Sequence, residues 1–168
     1  MNRIKLWAIY LLFAGVICNG VGCKEALVYK NEMLGFSLEF PESWRDYYLI
    51  HTSDDENCIE VCFIGKSNIS KNFDESSGNP KGLPMFYICS EKYIEEDGFI
   101  DNLQKIGTSR GVDFYYFTST DYPIGVLLDV YQSDCQDTDE KNLAYQDFDK
   151  AKKMEEDIEF ILKTFKSI

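Results

Sequence analysis

The chain has 168 residues, and its 45% hydrophobic and 27% charged content is typical of a globular protein, which argues against disorder. The net charge of −12 repels nucleic-acid phosphates and anionic lipid headgroups, so we expect no nucleic-acid partner and no membrane-binding basic patch. The same charge favours a monomer. Aromatic residues make up 15% of the chain, which favours strands and an aromatic core.

The amino-terminal segment has the order of parts found in secretory signal peptides. Basic residues Arg3 and Lys5 are followed by the uncharged apolar run 6–17 and by small residues that lead into Cys23. The run has 12 residues, whereas a membrane-spanning helix needs about 20. We therefore predict that residues 1–22 are a signal peptide. Its removal leaves 15 of the 17 basic residues against 29 acidic ones, a net charge of −14.

The segment Gly20-Val21-Gly22-Cys23 resembles the bacterial lipobox, whose cysteine receives a diacylglycerol. Gly20 departs from that pattern, which usually has Leu at this position. The resemblance implies a lipid on Cys23, with the protein held by it on the outer face of the cell membrane. Two alternatives are cleavage without lipid and an uncleaved anchor, because 6–22 is an uncharged stretch of 17 residues. All three place the domain outside the cytoplasm.

Apolar alternation predicts a series of strands after a tether formed by residues 23–33. The loop 65–82 is expected to be the longest, and 91–102 is predicted as a short helix. The turn 109–111 has the composition of a hairpin. The predicted strands are 27–29, 35–40 (half-buried), 47–52, 58–64, 83–90, 103–108 and 112–118.

The carboxyl-terminal segment predicts the longest helix, from about 138 to 165. Asp137 with Glu140 forms an N-cap pair, and Glu159 lies correctly placed for an ion pair with Lys163. A helix of this length would span about 40 Å, so we expect a break near Asp147. The preceding run 124–131 is predicted as strand or helix. The helical stripe comprises Ala144, Phe148, Ala151, Met154, Ile158, Ile161 and Phe165.

These elements predict a single α+β domain over residues 34–168. It would have a twisted, mostly antiparallel sheet with the C-terminal helix packed on one face. Residues 29–31 and 35–44 (GFSLEFPESW) resemble the opening of PsbP-like domains of small lipoproteins from Gram-positive bacteria, and 115–121 and 161–166 resemble their close. The resemblance implies an α/β/α sandwich and no particular activity. The chain departs from that family by an extension after Asp121 (YPIGVLLDVYQSDCQ).

Catalytic motifs are missing from the sequence. His51 is the only histidine, and no Gly-x-Ser-x-Gly elbow accompanies it. We assign no catalytic residues and no cofactor. The chain is interpreted as a non-catalytic binding or accessory module whose partner is an envelope protein or a small ligand. One alternative is an extracellular hydrolase that uses carboxylates or His51.

Four cysteines of the mature chain, Cys58, Cys62, Cys89 and Cys135, are candidates for disulfides outside the cytoplasm. On one strand Cys58 and Cys62 lie about 13 Å apart, too far to pair with each other. The pairings left are 58–89 with 62–135, or 62–89 with 58–135. Free buried thiols and a zinc site built from Cys58, Cys62 and Cys89 are the other interpretations, and the strand spacing disfavours zinc.

The acidic segment 134–140 gives a second alternative function, a cation-binding structural protein. The segment lacks the EF-hand pattern of alternating acids, a central glycine and a closing glutamate, so we assign no metal ligands there. Asp137 and neighbouring acids are better explained as a solvated loop and a helix cap. Trp44 and the pair Tyr47-Tyr48 have the chemistry to stack on a sugar or peptide, but we expect Trp44 and one of the tyrosines in the core.

Overall fold

Two antiparallel sheets and five helices form the part of the chain that the computed structural model describes, residues 26–53, 56–73, 82–97, 102–119, 121–134 and 136–168. The small sheet has the order β1-β2-β8 and the large sheet the order β3-β4-β5-β7-β6. The strands are β1 (Leu27–Asn31), β2 (Phe36–Phe40), β3 (Tyr48–Thr52), β4 (Cys58–Phe63), β5 (Leu83–Ser90), β6 (Gln104–Ser109), β7 (Val112–Phe117) and β8 (Lys166–Ser167). The helices are α1 (Asn68–Lys71), α2 (Glu91–Asp97), α3 (Gly125–Gln132), α4 (Thr138–Glu155) and α5 (Ile158–Lys163).

The predicted α+β class and the antiparallel pairing are confirmed, but the strands are divided between two sheets. The chain turns between β2 and β3, where Pro41 is followed by a short 3-10 helix, Glu42–Trp44. Proline has no N–H to continue a ladder, so β3 begins a new sheet instead of extending the first one.

The core lies between the two sheets and beneath the helices. Phe36 of β2 contacts Phe114 of the large sheet with ring centroids 5.2 Å apart, and Phe40 stacks on Tyr48 at 4.7 Å. Ser37, on the other face of β2, is also buried, and β2 lies between β1 and β8 in its sheet. The strand is therefore more deeply buried than its alternating sequence predicts.

The hairpin predicted at 109–111 is confirmed. Arg110 and Gly111 form a two-residue turn in which both residues have positive φ, 51° and 82°. Such turns match the twist of the strands that they connect. The loop predicted for 65–82 includes α1, and its residues 74–81 lie outside the described part of the chain.

The carboxyl-terminal helices confirm the predicted cap but not the predicted break. The Asp137 side chain accepts a hydrogen bond from the Glu140 amide at 3.0 Å, as expected for an N-cap. The break near Asp147 is wrong, since α4 continues to Glu155 and the chain bends between α4 and α5. Near this bend Asp157 accepts a hydrogen bond from the Trp44 indole at 3.0 Å, and α5 then lies along β2.

The run 124–131, left open between strand and helix, is helical as α3 and packs against α4. The ion pair predicted between Glu159 and Lys163 is present at 2.9 Å. Among the described helices, none combines the length and apolar character that crossing a membrane requires.

Candidate functional site

The residues singled out from the sequence do not converge on one site. Cys23 and the leader lie outside the described residues. His51 is half-buried on β3, where it pairs with Glu60 of β4. Trp44 is fully buried and belongs to the core, as expected.

The cysteines form one cross-strand bridge. Cys58 of β4 and Cys89 of β5 are directly opposite each other in the ladder, and their sulfurs form a disulfide. The Ser90 amide donates to the Asn57 carbonyl at 2.8 Å beside this pair. The pairing of 62–89 with 58–135 is therefore wrong, and so is a zinc site that uses the Cys58 and Cys89 thiolates. Cys62 is buried, and Cys135 lies outside the described residues.

The acidic segment 134–140 uses two of its carboxylates within the fold. Asp137 caps α4, and Glu140 accepts a hydrogen bond from the Asn68 amide at 2.7 Å. Lys141 donates to the Ser133 carbonyl at 2.6 Å across the same loop. Within the described ranges, no cluster of three or more histidine, cysteine or acidic side chains could hold a metal ion. The structure thus gives the cation-binding alternative no ligand set among these residues.

A buried polar cluster joins α4 to the segment around α1. Asp147 is 2% exposed and accepts hydrogen bonds from the Lys66 and Ser67 amides at 2.9 and 2.8 Å, and from the Ser67 and Ser70 hydroxyls at 2.6 and 2.9 Å. A Cβ atom on Gly65 would lie 2.2 Å from this carboxylate, so only glycine permits the close approach. Both carboxylate oxygens accept hydrogen bonds from the 66–70 segment, so the cluster is explained as a structural clamp between α4 and this segment.

The best-formed concave site is a cleft of about 410 Å³ beside β7, where the chain leaves the large sheet and enters α3. We call it the Tyr122 cleft. Its floor is apolar and buried, with Met85, Ile124, Ile158 and Leu162 each 8% exposed or less. The other lining residues are Pro84, Gln104, Tyr116, Thr118, Ser119, Asp121, Tyr122, Pro123, Glu155 and Glu159.

Three elements position the polar rim of the Tyr122 cleft. Strand β7 carries Tyr116, and the last turn of α4 carries Glu155. A turn at Tyr122, closed by a hydrogen bond from the Gly125 amide to the Tyr122 carbonyl at 2.9 Å, leads into α3. Pro123 fixes φ in this turn and so limits the directions that the neighbouring Tyr122 can take.

A second hollow of about 610 Å³ adjoins the Tyr122 cleft at the 121–123 segment. The two hollows share Pro84, Ser119, Asp121, Tyr122 and Pro123. The second one is lined mainly by apolar residues of α3 and α4 and of the segment after α1, namely Phe73, Gly125, Val126, Leu128 and Phe148, together with Asp129. The 121–123 segment therefore lines both hollows.

The electrostatics of the Tyr122 cleft centre on Glu155. Its carboxylate accepts a hydrogen bond from Lys152 at 2.5 Å, and the Tyr122 hydroxyl lies 3.5 Å from it. The Lys152 ammonium lies 5.4 Å from the centroid of the Tyr122 ring. The carboxylate of Glu155, with a smaller contribution from Tyr122, raises the pKa of Lys152, which stays charged. Burial, with a smaller contribution from Glu155, raises the pKa of Tyr116, so its hydroxyl stays protonated as a hydrogen-bond donor.

In comparisons with known proteins, no family model, no curated protein and no solved structure matches the chain. The resemblance to PsbP-like domains therefore remains a prediction. Sequence reasoning missed the cleft residues Tyr122, Glu155 and Glu159. The signal was the extension after Asp121, since that extension supplies Tyr122, Pro123 and Ile124 to the cleft and α3 to the adjoining hollow.

Proposed function

We propose that this protein is a lipid-anchored binding module on the outer face of a bacterial membrane, and that it holds a small ligand in the Tyr122 cleft without transforming it. The observation that carries the binding function is the cleft itself. It combines a buried apolar floor with a polar rim, and its volume of about 410 Å³ lies within the range of small-molecule sites, roughly 300–1,000 Å³.

A non-catalytic function is supported by the chemistry of the lining. Nucleophilic catalysis needs a base beside the nucleophile, usually a histidine. The only histidine, His51, lies on β3 and is not among the cleft residues. Burial raises the pKa of the Tyr116 hydroxyl, which disfavours the ionised form that a base requires. The cleft does contain carboxylates, but Glu155 and Glu159 are each paired with a lysine, Lys152 and Lys163, so the described lining offers the hydrolase alternative no pair of unpaired carboxylates.

The proposed location on the outer face of the membrane is supported by the sequence of the leader. Arg3 and Lys5, the run 6–17 and Gly22-Cys23 have the order of a lipoprotein signal. Kinship with PsbP-like lipoproteins is part of this proposal, and the α+β arrangement of antiparallel sheets and a C-terminal helix is compatible with it.

The lipid anchor and the location are tested by expressing the whole chain with its own leader in a bacterium and measuring its intact mass. We expect a chain that begins at Cys23, carries diacylglycerol and fractionates with membranes. The matched variant Cys23→Ser should lose both the lipid and the membrane association. An unmodified chain that starts at Cys23, or a retained leader, would contradict the lipid anchor.

The binding function is tested separately by methyl NMR on the same protein. Small molecules of positive, neutral and negative charge are titrated while the methyl groups of Ile124, Ile158 and Leu162 are observed. We expect at least one charge class to shift these methyl groups in a saturable way, while those of Val28, exposed on β1, remain unchanged. If no class shifts the floor methyl groups, the Tyr122 cleft is not a binding site.

A further inference from the structure

We propose that the ligand of the Tyr122 cleft is a small amphiphilic cation, a molecule with a protonated amine at one end and an apolar chain at the other. This inference rests on the proposed binding function and adds the chemical class of the ligand. It is carried by the division of the cleft into an apolar floor and a rim whose charged lining residues are all acidic.

The charges of the rim select against anions. The described lining of the Tyr122 cleft includes Asp121, Glu155 and Glu159 and no basic residue. Glu155 and Glu159 form ion pairs with Lys152 and Lys163 from outside the lining, so Asp121 is the acid of this rim that attracts a cation most directly. The adjoining hollow repeats this pattern, with Asp121 and Asp129 as its only charged lining residues in the described part of the chain. Concave sites lined by one sign of charge concentrate ligands of the opposite sign. A carboxylate or phosphate ligand would be repelled, whereas an ammonium group would be attracted.

The protein's own Lys152 shows that this rim accepts an ammonium group. Its Nζ atom is held between the Glu155 carboxylate at 2.5 Å and the face of the Tyr122 ring at 5.4 Å. A carboxylate with an aromatic face is the combination that recognises ammonium groups through charge and cation–π attraction. A ligand ammonium can share Glu155 with Lys152 or bind nearer to Asp121, which lines both hollows.

The apolar floor of the cleft indicates that the ligand also has an apolar part. Met85, Ile124, Ile158 and Leu162 present an apolar surface with no charged group. An inorganic cation or a short polyamine would leave this surface in contact with water. An alkyl chain would cover it and gain roughly 0.8 kcal/mol for each buried methylene, about a fourfold gain in affinity for each one. The ligand is therefore an amphiphile rather than a simple cation.

The test compares three eight-carbon probes below their micelle concentrations, namely octylammonium, octyl glucoside and octanoate. Each is titrated into the full-length expressed protein while the floor methyl groups of Ile124, Ile158 and Leu162 are followed. We expect octylammonium to bind at least about tenfold more tightly than octyl glucoside and octanoate to bind most weakly, since a charge-assisted contact contributes about one decade of affinity.

Two triple variants of equal net charge test whether the acidic residues of the rim cause the preference for octylammonium. Asp121→Asn/Glu155→Gln/Glu159→Gln neutralises the cleft acids. Its control neutralises the exposed acids Glu32, Asp46 and Glu91 by Glu32→Gln/Asp46→Asn/Glu91→Gln. The cleft variant should bind octylammonium and octyl glucoside within about threefold of each other, whereas the control should retain the preference. Circular dichroism establishes that both variants are folded.

The outcomes separate this inference from the proposed function. Equal shifts with all three probes, or a preference for octanoate, would overturn the cationic class and leave a binding cleft. An unchanged preference in the cleft variant would overturn the role of the rim acids. If no probe shifts the floor methyl groups, both the proposed binding function and the proposed ligand class are refuted.

Discussion

Asp147 is predicted to contribute more to stability than any other acidic residue described here, although its neighbours in sequence give no sign of this. Replacing it by Ala removes the acceptor of four hydrogen bonds. The Ser67 and Ser70 hydroxyls keep each other as partners at 3.0 Å, so the groups left unpaired are the Lys66 and Ser67 amides. An unpaired buried donor costs roughly 1–3 kcal/mol, and because Lys66 is exposed we expect a total loss of about 3 kcal/mol.

The expected loss is measured by urea and thermal unfolding, with Trp44 fluorescence as the probe. A loss of about 3 kcal/mol corresponds to a fall in Tm of roughly 6–12 °C for a domain of this size. The matched control is Asp149→Ala, which removes an exposed acid two residues further along α4. It should change stability by no more than about 0.5 kcal/mol. Amide exchange at Ser67 should accelerate in the Asp147 variant. A loss below about 1 kcal/mol with the Ser67 amide still protected would refute the clamp.

Three further measurements test the core, the bridge and the large sheet. Trp44→Phe removes a fully buried indole and its hydrogen bond to Asp157. It should lower the free energy of unfolding, measured by circular dichroism in urea, by about 1–3 kcal/mol. A loss under about 0.5 kcal/mol would contradict the packing. The double variant Cys58→Ser/Cys89→Ser, which opens a loop with a sequence separation of 31, should lose roughly 3–4 kcal/mol, and a reductant should then lower its Tm less than that of the parent. Burial, followed by the charge of Glu60, raises the pKa of Tyr87 above the value of about 10 expected in the unfolded chain. Stability should therefore fall as the pH rises above about 10, and the fall should be smaller in Tyr87→Phe; equal urea midpoints at about pH 9 and pH 11 in the parent protein would refute this.

The elements that depend on local sequence were predictable. β5 (Leu83–Ser90) was predicted at its observed limits, because an apolar run that begins near a proline and ends in Ser90 has clear boundaries. The hairpin at Arg110–Gly111 and the Asp137 cap were predictable for the same reason, since turn and cap chemistry acts over a few residues. The Cys58–Cys89 bridge was one of two open pairings, and only the register of β4 against β5 selects it.

The division of the strands into two sheets and the break between α4 and α5 were not predictable. The break was predicted near Asp147 because an unbroken helix from about 138 to 165 would span about 40 Å. In the structure this residue faces the segment 65–70, whose amides and hydroxyls compensate the buried charge. Such compensation comes from residues about 80 positions away, so no local pattern indicates it.

The candidate site shows the same limit. Composition and the order of residues along the chain reveal the leader, the acidic charge and the lack of a catalytic motif. These features suffice to predict a location and a class of protein. The Tyr122 cleft joins residues of β5, β7, α5 and the end of α4 that are distant in sequence. Each of these residues is unremarkable alone, since a tyrosine, an isoleucine or a glutamate becomes part of a binding site only when packing brings it into a shared concave surface. Sequence alone therefore determined where this protein is expected to act, whereas tertiary structure decided which side chains can meet a ligand, because contacts between distant segments arise only from the packing of the sheets and helices.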